Sequence, residues 1–146
     1  MSDDETMLKV FEKAKSVNGL PMVHCESNAI AETNIEKCME ENDLSWVNFA
    51  KCKPVLCEAE AFARAVYFQE YVGNALLVVH TTNGEALNTA RRAHGKGLPL
   101  YVETGPHYLT LFDDLYKGEN GHLAICSPPL RTPKEAEELW EGLKDC

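Results

Sequence analysis

The chain has no long hydrophobic run. Its longest, Ala75–Val79, is far too short to cross a bilayer. Its opening, MSDDETMLKVFEKAK, has no basic segment followed by an apolar one, so it does not read as a secretory leader. The default compartment is therefore the cytoplasm. Positive charge is scarce: 14 Lys and Arg stand against 23 Asp and Glu, a formal net charge of -9. Such a surface repels phosphate backbones and anionic headgroups, which argues against nucleic acid and membrane partners. No two of the six cysteines are spaced CxxC, so a zinc knuckle is not expected. A disulfide framework wants a secreted context, so the expectation is free thiols, Cys146 among them. There is no glycine-rich phosphate loop after any apolar run, and no HxH pair.

What remains is an ordinary globular composition, 45% hydrophobic and 25% charged over 146 residues, which suits one domain, 1–146. Asp3 and Asp4 can cap a helix from about Glu5 to Ser16, with Met7, Leu8, Val10, Phe11 and Ala14 as its apolar face. Asn18-Gly19 ends it. Three short apolar runs, 20–24, 76–80 and 98–103, read as buried strands. Helices are expected over Ile30–Glu41, Glu58–Tyr71 and Gly84–Lys96, with Trp46, Val47 and Phe49 pinning the stretch between the first two. A last helix runs from Pro133 to about Lys144, with Glu135 to Glu138 on a solvated face. The alternation predicts an α/β fold with three parallel strands joined by right-handed crossovers. A doubly wound sheet and part of a (β/α)8 barrel both fit. Two strands ending in histidine favour the barrel, whose chemistry sits at the carboxyl ends of its strands. Three strands cannot close one.

His24 closes PMVH and His80 closes LLVVH. Parallel neighbours place such ends side by side, where two imidazoles can converge on a metal. Either residue alone reads as well as a core histidine bonded to a backbone carbonyl. Glu26, Asn28, Thr81 and Thr82 follow these histidines and can orient ligands or cap turns. Glu103-Thr104-Gly105-Pro106-His107-Tyr108 is a pocket edge or a packed turn. Ser127-Pro128-Pro129-Leu130-Arg131 is stiff, and can present the Ser127 backbone to a substrate amide or be a plain rigid loop. His94 and His122 read as surface residues.

HCESN at 24–28, EAEAFARAV at 58–66, LLVVHTTNGEAL at 76–87, ARRAHGKGLPLYVETGPHYL at 90–109 and SPPLR at 127–131 followed by LW at 139–140 resemble the hydantoinase/dihydropyrimidinase branch of the metal-dependent amidohydrolases. Allantoinases are close relatives. The likeness runs in order over nearly the whole chain and is weakest at 29–57, where Lys53-Pro54 stands in place of an Arg-Pro-Pro stretch. The resemblance implies a (β/α)8 barrel with two divalent metals, usually zinc, that opens a cyclic amide. It makes His24 and His80 the metal ligands of the fifth and sixth strands. Ser127 becomes the residue whose backbone holds the substrate.

The family's HxH pair, carboxylated lysine and aspartate have no counterpart here, so the expectation is a segment covering about strands 5 to 7. It supplies part of a site and is inactive alone. With its sheet face open it would form a homo-oligomer. Two other readings stand beside this one. A non-catalytic scaffold of the same fold would tend to have lost metal ligands. A small α/β binding module would want polar residues on the outer sheet face.

Overall fold

A computed structural model describes residues 2–145. Helix α1 (Asp4–Ser16) starts where Asp3 accepts a hydrogen bond from the Thr6 amide at 2.8 Å. It ends where Asn18 takes a left-handed φ of 54°. Of its apolar face Phe11 is buried and Met7 and Leu8 pack against the core, while Val10 is exposed, against expectation. The strands are β1 (Met22–Val23), β2 (Leu76–Val78) and β3 (Leu100–Val102). They form one parallel sheet in the order β1-β2-β3. Each is shorter than its apolar run, so both histidines lie just past the strand ends rather than on them.

Between the strands run α2 (Asn28–Glu40), α3 (Trp46–Cys52), α4 (Val55–Val72) and α5 (Gly84–Gly95). After β3 come α6 (Pro106–Thr110), two 3-10 turns at Asp113–Lys117 and Gly121–Ala124, and α7 (Pro133–Lys144). Helix α4 buries Ala61, Phe62, Ala65, Val66, Gln69 and Val72, a stripe at three- and four-residue spacing. It stops at Gly73, whose φ of 73° suits a residue without a Cβ. Asn83 caps α5 by accepting from the Ala86 amide at 3.0 Å, and Thr132 and Glu135 form a capping box on α7. Glu138 is not merely solvated: it accepts from the Gly84 amide at 3.1 Å and ties α7 to the start of α5.

The main core joins Phe11, Phe62, Val66, Leu76, Val78, Ala90 and Leu100. Val23 packs against it, on the covered side of the sheet. The register aligns Met22, Leu77 and Tyr101 across the three strands, and side chains in one row share a face. Met22 is 66% and Tyr101 56% exposed. One face of the sheet is therefore covered by helices and the other is open. A second core gathers Tyr108, Tyr116, Leu130 and Leu139, with Val47 and Phe49 of α3 packed on it. Trp46, expected to pin this stretch, is exposed instead.

Candidate functional site at the carboxyl ends of the strands

β1 and β2 deliver His24 and His80 to the same end of the sheet. Their rings meet edge to face with centroids 4.8 Å apart, and His24 Nδ1 lies 3.0 Å from His80 Nε2. His80 holds a positive φ of 42°, unusual for a residue with a Cβ and the kind of strain found at ligand-holding positions. Burial and the neighbouring His24 lower its pKa.

The far side of His24 is anchored. Its Nε2 lies 3.0 Å from Glu26 Oε2. The same oxygen accepts from Lys53 Nζ at 2.7 Å and from Ser127 Oγ at 2.7 Å. Lys53 also donates to Ser127 Oγ at 2.6 Å. Burial opposes the charge on Glu26, but the hydrogen bonds from His24, Lys53 and Ser127 outweigh it and pull the pKa to about 2. An ionised Glu26 makes His24 donate through Nε2, which leaves Nδ1 as a lone pair aimed at His80. Glu26 Oε1 and His80 Nδ1 are buried without hydrogen-bond partners.

A second buried carboxylate supports this corner from below. Glu58 accepts from the Thr82 amide at 2.8 Å and from the Thr82 hydroxyl. Arg131 reaches it at 3.3 Å, and donates to Thr82 Oγ1 at 2.9 Å and to the Lys53 carbonyl at 2.5 Å. The loop carrying Ser127 and Arg131 is pinned by two tyrosines. Tyr108 donates to the Pro128 carbonyl at 2.8 Å, and Tyr116 accepts from the Leu130 amide at 2.8 Å.

The structure thus brings together His24, Glu26, His80 and Ser127 from the sequence-level candidates. Thr82 serves Glu58 rather than a histidine, and Thr81 is buried behind it. Asn28 opens α2. His107 stays exposed, and Tyr108 is a buried strut. His94 and His122 are exposed, the first bonded to the Leu100 carbonyl at 2.8 Å. Lys53 was the residue missed. Its one signal was a cation before proline where the family pattern has arginine.

No family model matches the chain. Individual proteins do. It is 35% identical to a D-phenylhydantoinase of Escherichia coli O1:K1 / APEC over 146 residues, which are 99% of this chain and 32% of that one. Among solved structures, a dihydropyrimidinase from Brevibacillus agri NCHU1002 superposes with a TM-score of 0.97 at 31% identity. A D-hydantoinase (dihydropyrimidinase) from Thermus sp. does so with 0.95 at 28%. Each comparison covers 99% of this chain and 32% of the other. The chain resembles part of a hydantoinase from end to end. It spans about a third of the length of the relatives it matches. Its three parallel strands and their helices match an arc of the hydantoinase (β/α)8 barrel, as the likeness in sequence implied.

Imidazole nitrogens that converge at 3.0 Å, one of them backed by a carboxylate, have the donor chemistry of a divalent metal site. Among the described residues no group of three or more His, Cys, Asp and Glu is arranged to hold a metal ion. The pair fits as two ligands and not as a complete set. Among the described residues no helix is long and apolar enough to cross a membrane.

Proposed function

We propose that this chain is a partial amidohydrolase barrel domain, 1–146, contributing two metal ligands and part of the substrate cradle to a cyclic-amide hydrolase. The observation that carries the reading is the approach of His24 Nδ1 to His80 Nε2 at the carboxyl ends of adjacent parallel strands. His24 would bind through Nδ1 and His80 through Nε2. Divalent metal, zinc by analogy with the family, would supply a polarised amide carbonyl and a bound water of lowered pKa. Two metals are expected in the complete site.

The chain's own residues do the positioning. Glu26 fixes the His24 tautomer and ring plane. Lys53 and Ser127 keep Glu26 ionised by donating to it. Ser127 sits on the rim at the head of a loop stiffened by Pro128, Pro129 and the two tyrosine struts, so its backbone is held for the amide of a hydantoin, dihydropyrimidine or allantoin-like ring. The Arg131–Glu58 pair holds the Lys53 backbone beneath it. The substrate would be a small cyclic amide in the cytoplasm, with neither nucleic acid nor membrane as partner. The open row of Met22, Leu77 and Tyr101 gives the chain a reason to self-associate as a homo-oligomer.

The test is cobalt or zinc binding by the chain, read by absorption or calorimetry. Weak binding that disappears in both His24→Ala and His80→Ala supports the reading. Equal binding by all three proteins overturns it. Ring opening of hydantoin or dihydrouracil by this chain alone should stay at background, since two histidines cannot clamp two metals. Metal-dependent turnover by a monomer would show that the chain builds a fuller site by itself.

A further inference from the structure

Helices α2 and α3 hold a feature the proposed hydrolysis does not use. Cys38 lies near the carboxyl end of α2 and Cys52 is the last residue of α3. Their sulfurs are 3.2 Å apart although the residues are 14 positions apart in sequence. The approach is held from both sides. Asn34 on α2 donates to the Cys52 carbonyl at 3.2 Å, and Asn48 on α3 donates to the Asp43 carbonyl of the connecting turn at 2.9 Å. At the base, the Ser27 amide donates to the Cys57 carbonyl at 2.7 Å and Cys57 Sγ to the Ser27 carbonyl at 3.2 Å. The two helices are thus clamped together with their thiols in contact.

The remaining described thiols differ. Cys25 is buried, and burial pushes its thiol up to about 12. Cys57 is buried and committed to a carbonyl. Cys126 is partly buried and packs against the second core. Cys38 is partly exposed too, and it opens on an apolar groove of about 220 Å3 lined also by Met39, Trp46, Phe49 and Ile125. Cys52 lines the same groove but is only 7% exposed. This is an outer thiol that a small reagent can reach and an inner thiol positioned to displace it.

We propose that Cys38 and Cys52 form a reversible thiol–disulfide site whose oxidant is a low-molecular-weight disulfide such as oxidised glutathione. Cys38 as the thiolate attacks one sulfur of the reagent. The reagent's S–S bond breaks, and its other half leaves as a thiolate that takes up a proton. Cys52 then gives its proton to solvent and attacks Cys38 Sγ, and the second glutathione leaves as thiol. Two electrons pass from the cysteine pair to the reagent, and one protein disulfide and two glutathione thiols result. Burial, with Cys38 adding to it, pushes the Cys52 thiol up to about 11, which suits the second role rather than the first. The bond fastens α2 to the residue that precedes Lys53, and so stiffens the segment that reaches Glu26 and Ser127.

The experiment uses the full chain. It is incubated with oxidised glutathione, quenched with iodoacetamide, digested with trypsin without reduction and mapped by mass spectrometry. The expected product is peptide 38–51 joined to peptide 52–64, lighter by two hydrogens than the sum of the two with Cys57 carbamidomethylated. Fragmentation should place the link at Cys52 rather than Cys57, and dithiothreitol should release it. Cys57→Ser should still form the link and Cys38→Ser should not. Recovery of both peptides alkylated, or each carrying its own glutathione, overturns the proposal. So does a link from Cys38 to Cys57 or between two chains. If Cys38→Ser does not fold, the map of the unsubstituted chain decides alone.

Discussion

Two buried glutamates sit on either side of the Lys53 backbone, and physics treats them oppositely. Glu26 receives a lysine, a serine and a histidine on one oxygen, and its pKa falls to about 2. Glu58 has an arginine and Thr82 against it, yet loss of solvation outweighs them and pushes its pKa up. The side chains are equally hidden, 1% and 2% exposed. The difference lies in what surrounds them. Glu26 opens on partly exposed His24 and Lys53, where water still screens and solvates. Glu58 is closed in by Thr82, Arg131 and α4, so the cost of stripping water from its charge is not fully offset. A carboxylate that must serve ligands is kept ionised by several donors near a rim. One that holds loops together is locked into a pair whose members depend on each other.

Arg131→Ala should separate the two most strongly. It leaves Glu58 buried without its cation and frees the Lys53 and Thr82 contacts, at about 3–5 kcal/mol. Urea unfolding measures this, and a loss below about 1 kcal/mol would mean that Glu58 relaxes to water. Lys53→Met should cost less, about 1.5–3 kcal/mol, because Glu26 keeps His24 and Ser127. Equal losses from the two variants would erase the distinction between rim and interior. Ser127→Ala removes one of three donors to Glu26 and should lower stability by roughly 1 kcal/mol in the same assay.

The smallest effect belongs to an exposed carboxylate that serves as the baseline. Asp3 accepts from the Thr6 amide, and that bond holds its pKa below the usual value. Its folded pKa is depressed, so its contribution is present at neutral pH and is lost as pH falls through the folded value. Asp3→Ala should lower the melting temperature slightly at pH 7 and make no difference at pH 2. A difference that persists at pH 2 would assign the effect to helix propensity rather than to the cap.

Helix α7 was legible, because Pro133 at its first position and the acidic residues of its first turns are local signals. Helix α5 and the end of α1 were legible for the same reason. Helix α3 was not. WVNFAKC has no cap bond from its own side chains, and it is helical because Val47 and Phe49 pack on Tyr116 and its neighbours from far along the chain. The strands were legible as apolar runs but drawn too long at one or both ends, although Thr81 N still donates to the Glu103 carbonyl beyond β2 and β3. The site was half legible. His24 and His80 repeat a pattern along the chain. Lys53 and Arg131 announce nothing by spacing, as their partners lie 27 and 73 positions away.

The sequence by itself determined the alternation of helices and parallel strands, the likeness to hydantoinases and the two histidines at strand ends. Local periodicity, caps and short motifs carry all of that, and each needs only a few neighbouring residues. The tertiary structure alone decided that His24 turns Nδ1 toward His80, that Glu26 collects three donors, and that Cys38 meets Cys52. Those outcomes depend on which distant side chains the fold brings together, and burial there sets the cost of an unpaired charge.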